Sequence, residues 1–216
     1  MKFDWTYSIT VLPTLLLGLK YTLLISVCGI LLGFLLGLLS GMARSGRKGV
    51  LYRIASLYVS VIRGTPLMVQ ALYIYFAIPM ILDVNLPTLT AGIITIGLNS
   101  GAYISEVVRG AILAVDVGQR EAGTCLGLSK FQIMTSIIFP QAFKIMLPSL
   151  GNQFIISVKD TSLLTVIGVA EITRQATQAV SKTFRTVEIY TSLAVMYLLL
   201  VSILTFVLNK LERRLK

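Results

Sequence analysis

Four long stretches of this chain carry no charge at all: residues 21–43, 64–82, 84–105 and 189–209. A helix needs about 20 predominantly apolar residues to cross a bilayer, and only a backbone that bonds to itself survives there. Each of the four runs reaches that length. A weaker run, 145–158, lies between Lys144 and Lys159. Taken alone it has the length of a buried or re-entrant segment. Of the 216 residues, 56% are hydrophobic and 13% charged, whereas a soluble domain carries roughly 25% charge. The chain therefore reads as an all-α membrane protein of about five transmembrane helices in a single domain over 1–216.

The net charge of +10 does not point to nucleic acid, because the basic residues sit at the ends of apolar runs. Arg44, Arg47, Lys48, Arg53 and Arg63 separate the first two runs without one acidic residue among them. Arg109, Arg120, Lys130 and Lys144 surround a polar segment, and Lys210, Arg213, Arg214 and Lys216 close the chain. The stretch around Asp83 has no basic residue. Positively charged loops stay inside. The 44–63 loop, the 109–144 segment and the C-terminus are thus expected in the cytoplasm. The N-terminus and the 171–188 segment are then expected outside. The start of the chain shows no cleavable signal pattern, so the first helix is expected to anchor the protein itself. There is no histidine, which excludes His-based metal sites and His catalysis. Cys28 and Cys125 lie at opposite depths, so no disulfide is expected between them.

Along the chain, Trp5 and Tyr7 suit an interfacial segment over 2–12. Gly29, Gly33, Gly37 and Gly41 repeat every fourth residue and form a stripe where another backbone can come close. The second span is expected to open at Arg63-Gly64-Thr65-Pro66, with Pro66 early and Pro79 kinking or ending it. Tyr73 and Tyr75 would be pore-lining or interfacial. The third span carries Asn99, Tyr103, Glu106 and Gly110 on one face, with Ser100 beside them. A polar face at that depth must meet protein or water. Residues 111–140 read as a soluble segment of two short helices joined at Gly127, with Ser129 as the N-cap of the second. The pair Lys159-Asp160 ends an apolar run, and each charge costs roughly 2.5–3.5 kcal/mol at membrane depth. Neighbouring helical residues point about 100° apart, so the two cannot simply face each other. A broken helix is expected there, followed by an outer amphipathic segment over 172–187.

Glu121-Ala122-Gly123-Thr124-Cys125-Leu126-Gly127, with Ile137-Ile138-Phe139-Pro140 at a fixed interval, resembles the Glu-Ala-Ala loop of the membrane subunits of bacterial ABC importers. Gly123 stands for the family's second Ala and Phe139 for its Leu. Arg63-Gly64-Thr65-Pro66, Asn99-Ser100-Gly101-Ala102-Tyr103, Pro140-Gln141-Ala142, Leu147-Pro148, Gly151-Asn152 and Lys159-Asp160-Thr161-Ser162-Leu163 extend the likeness to nearly the whole chain. They resemble the polar amino acid branch, glutamine type. The resemblance implies the type I importer permease fold with cytoplasmic coupling helices, in the bacterial inner membrane among its lipids. It implies a second permease subunit, identical or a close paralogue, a cytoplasmic ATPase and an extracytoplasmic amino-acid-binding protein. ATP and Mg would belong to the ATPase, with no cofactor in this chain. The coupling segment, about 116–140, would dock in a cleft of the ATPase through Arg120, Glu121, Ala122, Gly127, Leu128 and Ser129. ATP-driven closure would then turn the spans from inward- to outward-facing.

The chemistry of a zwitterion suggests where a polar amino acid would be held. Glu106 or Asp160 would take its ammonium; Lys159, Asn99 or the hydroxyls of Thr161 and Ser162 would take its carboxylate. Ser100 and Tyr103 complete this candidate set. A network in which these groups satisfy one another is the rival reading, and Glu106 with Arg109 reads as one such structural pair. The chain has no Gly-x-x-x-x-Gly-Lys-Ser/Thr loop, so it is not expected to hydrolyse ATP. An ion-coupled transporter, which would show paired broken helices, and a membrane scaffold without a transport path are the alternatives. No nucleophile and base or metal set marks it as an enzyme.

Overall fold

The computed structural model describes residues 4–46 and 48–215, with side chains to residue 212. The charges of Lys2, Arg47, Arg213, Arg214 and Lys216 therefore lie outside the described residues. Asp4 caps α1 (Trp5–Thr10), its carboxylate accepting the N–H of Thr6 at 3.0 Å. Val11 alone separates α1 from α2 (Leu12–Ser45), a helix of 34 residues. At about 1.5 Å per residue it is about 50 Å long, well beyond the roughly 30 Å of hydrocarbon.

The glycine stripe of α2 is buried against α6 (Thr88–Ala114). A methyl group at Gly37 would stand 2.6 Å from Cβ of Ile104 and 2.9 Å from the carbonyl oxygen of Gly101. At Gly41 it would meet Cβ of Val108 at 2.6 Å. The two backbones run closer than any side chain on that stripe permits, which is what small residues provide between membrane helices. Gly97 and Gly101 of α6 in turn receive Leu32 and the Tyr58 hydroxyl.

The second span differs from its expectation. It begins with α3 (Val50–Arg63), breaks at 64–66, and continues through α4 (Leu67–Leu72), a widened π-turn (Tyr73–Ala77) and α5 (Ile78–Leu82). Its two halves are bent by 106°. The uncharged run 64–82 is thus only half of it. Arg53 and Arg63 ride on a helix rather than a loop. α3 buries Ala55 and Val59 and exposes Val50, Leu51, Ile54 and Leu57. Pro66 stands just before α4 in an extended conformation. Pro79 does not end the helix. In the π-turn ahead of it the N–H of Ile78 reaches the carbonyl of Tyr73, five residues back. A proline clashes with the carbonyl four residues back, and a widened turn relieves that register.

The same device precedes Pro140. The N–H of Phe139 bonds to Met134 across a second π-turn (Ile133–Ile138). So α7 (Val117–Cys125) is one short helix, as expected, but the second is not short. α8 (Lys130–Gln132), the π-turn, α9 (Phe139–Asp160) and a 3₁₀ turn (Thr161–Ile167) follow without a gap. They make one rod, Lys130–Ile167, of 38 residues. The break expected at Lys159-Asp160 takes the form of tightening from Thr161 and a stop at Gly168, where φ is +86°.

α10 (Ile172–Thr183) is amphipathic and packs Ile172 and Ala176 on Val11, Leu15 and Ile189. α11 (Thr186–Leu215) is the last helix. No strand occurs among the described residues. Among the described residues four helices are long and apolar enough to cross a membrane, or five with the bent pair as one span. Cys28 and Cys125 are both free.

Candidate functional site

The polar face of α6 carries two separate centres. At the upper one Asn99 is buried, and its side-chain amide donates to Oε1 of Gln70 at 3.2 Å. Nε2 of Gln70 donates to the carbonyl of Ile62 (2.7 Å), the carbonyl of Thr65 (3.0 Å) and Oγ1 of Thr65 (3.0 Å). The last carbonyls of a helix have no partner within it. Gln70 supplies one at the break after α3. Ala71, Ile96 and Leu164 share one core cluster here, which brings α4, α6 and the 3₁₀ turn together. Sequence reasoning missed Gln70. Its signal was a lone amide in an uncharged run, a few residues beyond a Gly-Thr-Pro break.

The lower centre is Glu106. Oε1 meets Arg44 at 2.8 Å and Arg63 at 3.3 Å; Oε2 meets Arg109 at 2.9 Å. Nε of Arg109 also donates to Oε2 at 3.0 Å. Arg44 comes from the last turn of α2, Arg63 from the end of α3 and Arg109 from α6 itself. Tyr103 lies between the two centres, 40% exposed, with the Arg63 guanidinium 5.3 Å from its ring centroid.

Two expectations need correction. Glu106 is not free to take an ammonium group, since three guanidiniums already surround its carboxylate. The structural pair with Arg109 is real, but it is one side of a four-residue cluster. Ser100, expected in the substrate-binding set beside the Asn99 face, turns into the α2–α6 contact instead. Its hydroxyl donates to the carbonyl of Ile96 at 2.6 Å and it packs against Gly33, inside the α2–α6 contact.

At the end of α9, Thr161 is buried and its hydroxyl donates to Val158 (2.7 Å); that of Ser162 donates to Lys159 (2.7 Å). Each hydroxyl keeps acceptor capacity. Lys159 is exposed and, with Ser162, lines a groove against Tyr197, Leu198 and Val201 of α11. Asp160 is half-buried, and the charge acting on it is that of Lys159. It makes no ion pair among the described residues. Asn99, bonded to Gln70, and half-buried Asp160 are candidates for substrate contact on two separate elements, while Thr161 is fully buried.

Beyond the 3₁₀ turn, Glu171 is buried and caps α10. Its carboxylate accepts from the N–H groups of Thr173 (2.7 Å) and Arg174 (2.6 Å) and from the Tyr197 hydroxyl (3.3 Å). Burial pushes its carboxyl above the ordinary 4.5, against the pull of those hydrogen bonds.

The segment expected to couple to an ATPase forms α7, the turn at Gly127 and the start of α8. Arg120, Glu121 and Ala122 are exposed on α7, while Gly123 is buried against Ile133 and Ile137. Gly127 has φ +74°. The N–H of Leu128 reaches Gly123 at 3.1 Å and that of Gly127 reaches Thr124 at 3.0 Å, which ends the helix with its carbonyls satisfied. Ser129 opens α8 with a capping box: Gln132 N–H to Ser129 Oγ at 3.3 Å and Ser129 N–H to Gln132 Oε1 at 2.9 Å. Leu126 and Phe131 project outward from this joint, both strongly exposed. Among the described residues no group of His, Cys, Asp and Glu is placed to hold a metal.

Comparison with known proteins bears on this arrangement. The family model described as "binding-protein-dependent transport system inner membrane component" matches residues 29–216. The glutamine transport system permease protein GlnP of Escherichia coli K12 is 48% identical over 217 residues, covering 100% of this chain and 99% of the relative. The arginine transport system permease protein ArtQ of Bacillus subtilis is 36% identical over 216 residues, with the same coverage. A crystal structure of an amino acid ABC transporter with histidines superposes with a TM-score of 0.92 at 38% identity, covering 99% of this chain and 100% of that one. An inward-facing methionine ABC transporter, MetNI, shares the fold with a TM-score of 0.81 at 20% identity, covering 94% of this chain and 96% of that one.

Proposed function

The chain belongs to the family of binding-protein-dependent transport system inner membrane components, and on that premise we propose that it carries glutamine, arginine or a similar polar amino acid, driven by a separate ATP-binding-cassette ATPase. It is a permease subunit of a multi-pass inner membrane system, with the fold of type I ABC importer permeases. The observation that carries the substrate class is its full-length likeness to permeases for glutamine and arginine.

The local geometry supports the rest of the reading. α7 continues from α6 through Val115 and Asp116, so a force on α7 acts directly on the helix that bears Asn99 and Glu106. The joint at Gly127 and Ser129 is stiffened by its caps and shows Leu126 and Phe131 to a partner. Moving such a joint moves the attached spans as bodies. ATP and Mg are assigned to the ATPase, and the α7–α8 joint to its docking cleft. A second permease subunit, identical or a paralogue, and an extracytoplasmic binding protein complete the system. The α7–α8 joint and the C-terminus are placed in the cytoplasm and the N-terminus outside, by the positive-inside rule. Within the single permease domain Asn99, Asp160, Thr161 and Ser162, with Tyr103 and Lys159 at the margins, hold the amino acid.

The test is ATPase activity in proteoliposomes that hold this chain with its co-purifying ATPase, titrated with polar and basic amino acids, with and without a binding protein. Stimulation by glutamine or arginine is expected. An uptake that follows an ion gradient and ignores ATP would overturn the reading in favour of a secondary transporter.

A further inference from the structure

The Glu106 cluster contains more positive charge than it neutralises. One carboxylate faces the guanidiniums of Arg44, Arg63 and Arg109 within 2.8–3.3 Å. Each guanidinium offers five N–H donors, far more than one carboxylate and the nearby Ser105 hydroxyl can accept. Nε of Arg44 is buried and has no hydrogen-bond partner. The side chains of Arg63 and Arg109 are 43% and 37% exposed, while that of Arg44 is 14% exposed. The cluster is therefore closed on the Arg44 side and open on the other.

The open side continues the face of Asn99 and Tyr103. Seven residues of helix separate Asn99 from Glu106, about 10 Å along the axis. Gly110, one turn further, has nothing within 4 Å. A polar, open face on a membrane helix must border water or protein, so a solute leaving Asn99 along α6 meets the arginines next. Surplus guanidinium, fixed by a carboxylate and poised beside an opening, is suited to bidentate capture of an oxyanion.

We propose that Arg63 and Arg109, held in place by Glu106 and Arg44, form a second, cytoplasmic-side station that takes the α-carboxylate of the transported amino acid after it leaves the Asn99–Asp160 region. This rests on the reading of the chain as an amino acid permease. Occupied from the cytoplasm, the station holds back the release of the next molecule, so product restrains the cycle. Glu106 is then a competitor for the same guanidiniums, and its charge keeps the site weak enough to release.

That competition separates a binding station from a mere structural tie. If the cluster only bound helices together, removing either partner would act in the same direction. A station predicts opposite signs. The experiment uses inside-out proteoliposomes of the permease with its ATPase, with binding protein and substrate in the lumen and ATPase activity measured outside. Glutamine, and in a parallel series arginine, is titrated into the outer, cytoplasmic-side medium. Inhibition is expected for wild type. Arg63→Gln and Arg109→Gln should raise the half-inhibitory concentration about tenfold or more, the effect of losing a charged hydrogen bond. Glu106→Gln should lower it, and Arg109→Lys, which keeps the charge, should fall between wild type and Arg109→Gln.

The decarboxylated amine of the substrate should not inhibit. Equal inhibition by inorganic phosphate at the same concentration would assign the site to oxyanions in general and overturn its assignment to substrate. Shifts of the same sign in Glu106→Gln and Arg109→Gln, or a wild type indifferent to outer amino acid, would also overturn the station. Failure of lumenal substrate to stimulate ATP hydrolysis at all would instead overturn the permease reading. Co-purification of the ATPase with each variant checks assembly.

Discussion

Gln70 accepts a hydrogen bond from Asn99 at 3.2 Å while its own amide nitrogen caps Ile62 at 2.7 Å. One side chain thus ties the end of α3, the start of α4 and the middle of α6. The bend of 106° between the halves of the second span has no continuous backbone hydrogen bonding of its own at 64–66. Gln70 sets the angle of that bend relative to the polar face of α6, and it fixes which way Asn99 points.

Replacing Gln70 with Leu keeps the volume and removes all four bonds. The Asn99 amide and the half-buried Ile62 carbonyl then lose their partner, at about 1–3 kcal/mol for each group that water cannot reach, whereas the oxygens of exposed Thr65 turn to water. Gln70→Leu should lower the thermal unfolding midpoint in detergent and reduce substrate-stimulated ATPase activity. Gln70→Glu keeps the acceptor for Asn99 but sets a buried carboxylate against the Ile62 carbonyl, so it should be at least as destabilising as Gln70→Leu. A Gln70→Leu protein as stable and active as wild type would show that the bend holds itself.

Gly37 tests the α2–α6 contact in the same way. A side chain there meets Cβ of Ile104 and the carbonyl of Gly101 inside 3 Å, and neither is the far end of a flexible chain. Gly37→Val should force the helices apart and cost about 1–3 kcal/mol or more, seen as loss of folded protein on size-exclusion chromatography. Gly49, the N-cap of α3 with nothing within 4 Å, provides the control, and Gly49→Ser, which suits that position, should behave as wild type.

These two sites differ in how they show in a sequence. Gly29, Gly33, Gly37 and Gly41 sit on one helix with a fixed period, so their shared face is written into local order. Pro140 reads as the end of the soluble segment 111–140, ahead of the weaker run 145–158. The structure absorbs Pro140 in a π-turn, a choice of register that no residue type announces. α3 lies within 44–63, a stretch that reads as a loop because its basic residues fall between two uncharged runs. Only packing on α2 and α6 reveals Ala55 and Val59 as its buried side. The arginines around Glu106 come from three helices, with Arg44 and Glu106 more than sixty residues apart. Of that cluster only Arg109, one turn away on the same helix, was within reach of a local argument. The caps at Gly127 and Ser129, being local, were legible in full.

Glu171 ties α10 to Tyr197 from a buried position. Its carboxyl is raised above 4.5 by burial, so the folded protein holds that proton more tightly than the unfolded chain. The stabilisation this gives is complete below about pH 4.5 and is lost as pH rises through the folded value. Glu171→Gln does not titrate and keeps an oxygen for the Thr173 and Arg174 N–H groups. The unfolding midpoint of Glu171→Gln minus that of wild type should therefore increase as pH rises from the carboxylate range towards neutrality. A difference that stays constant with pH would mean the hydrogen bonds at Glu171 offset its burial in full.

Gly127 separates conformation from space. Its φ of +74° lies in the left-handed region, yet a Cβ there would meet nothing within 4 Å. A substitution is therefore penalised by backbone preference alone, about 1–2 kcal/mol for most residues and least for Asn. Gly127→Val should loosen the joint between α7 and α8, so that ATP hydrolysis continues while uptake per ATP falls. Gly127→Asn should retain most of the coupling, because Asn tolerates this conformation. Ser129→Ala, which removes the capping box at a cost of about 1 kcal/mol, should add to the effect of Gly127→Val. The ratio of amino acid transported to ATP hydrolysed in proteoliposomes reads all three. If Gly127→Val and Gly127→Asn reduce that ratio equally, the left-handed turn is not what the joint requires. The partner would then be reading the surface around Leu126 and Phe131 instead.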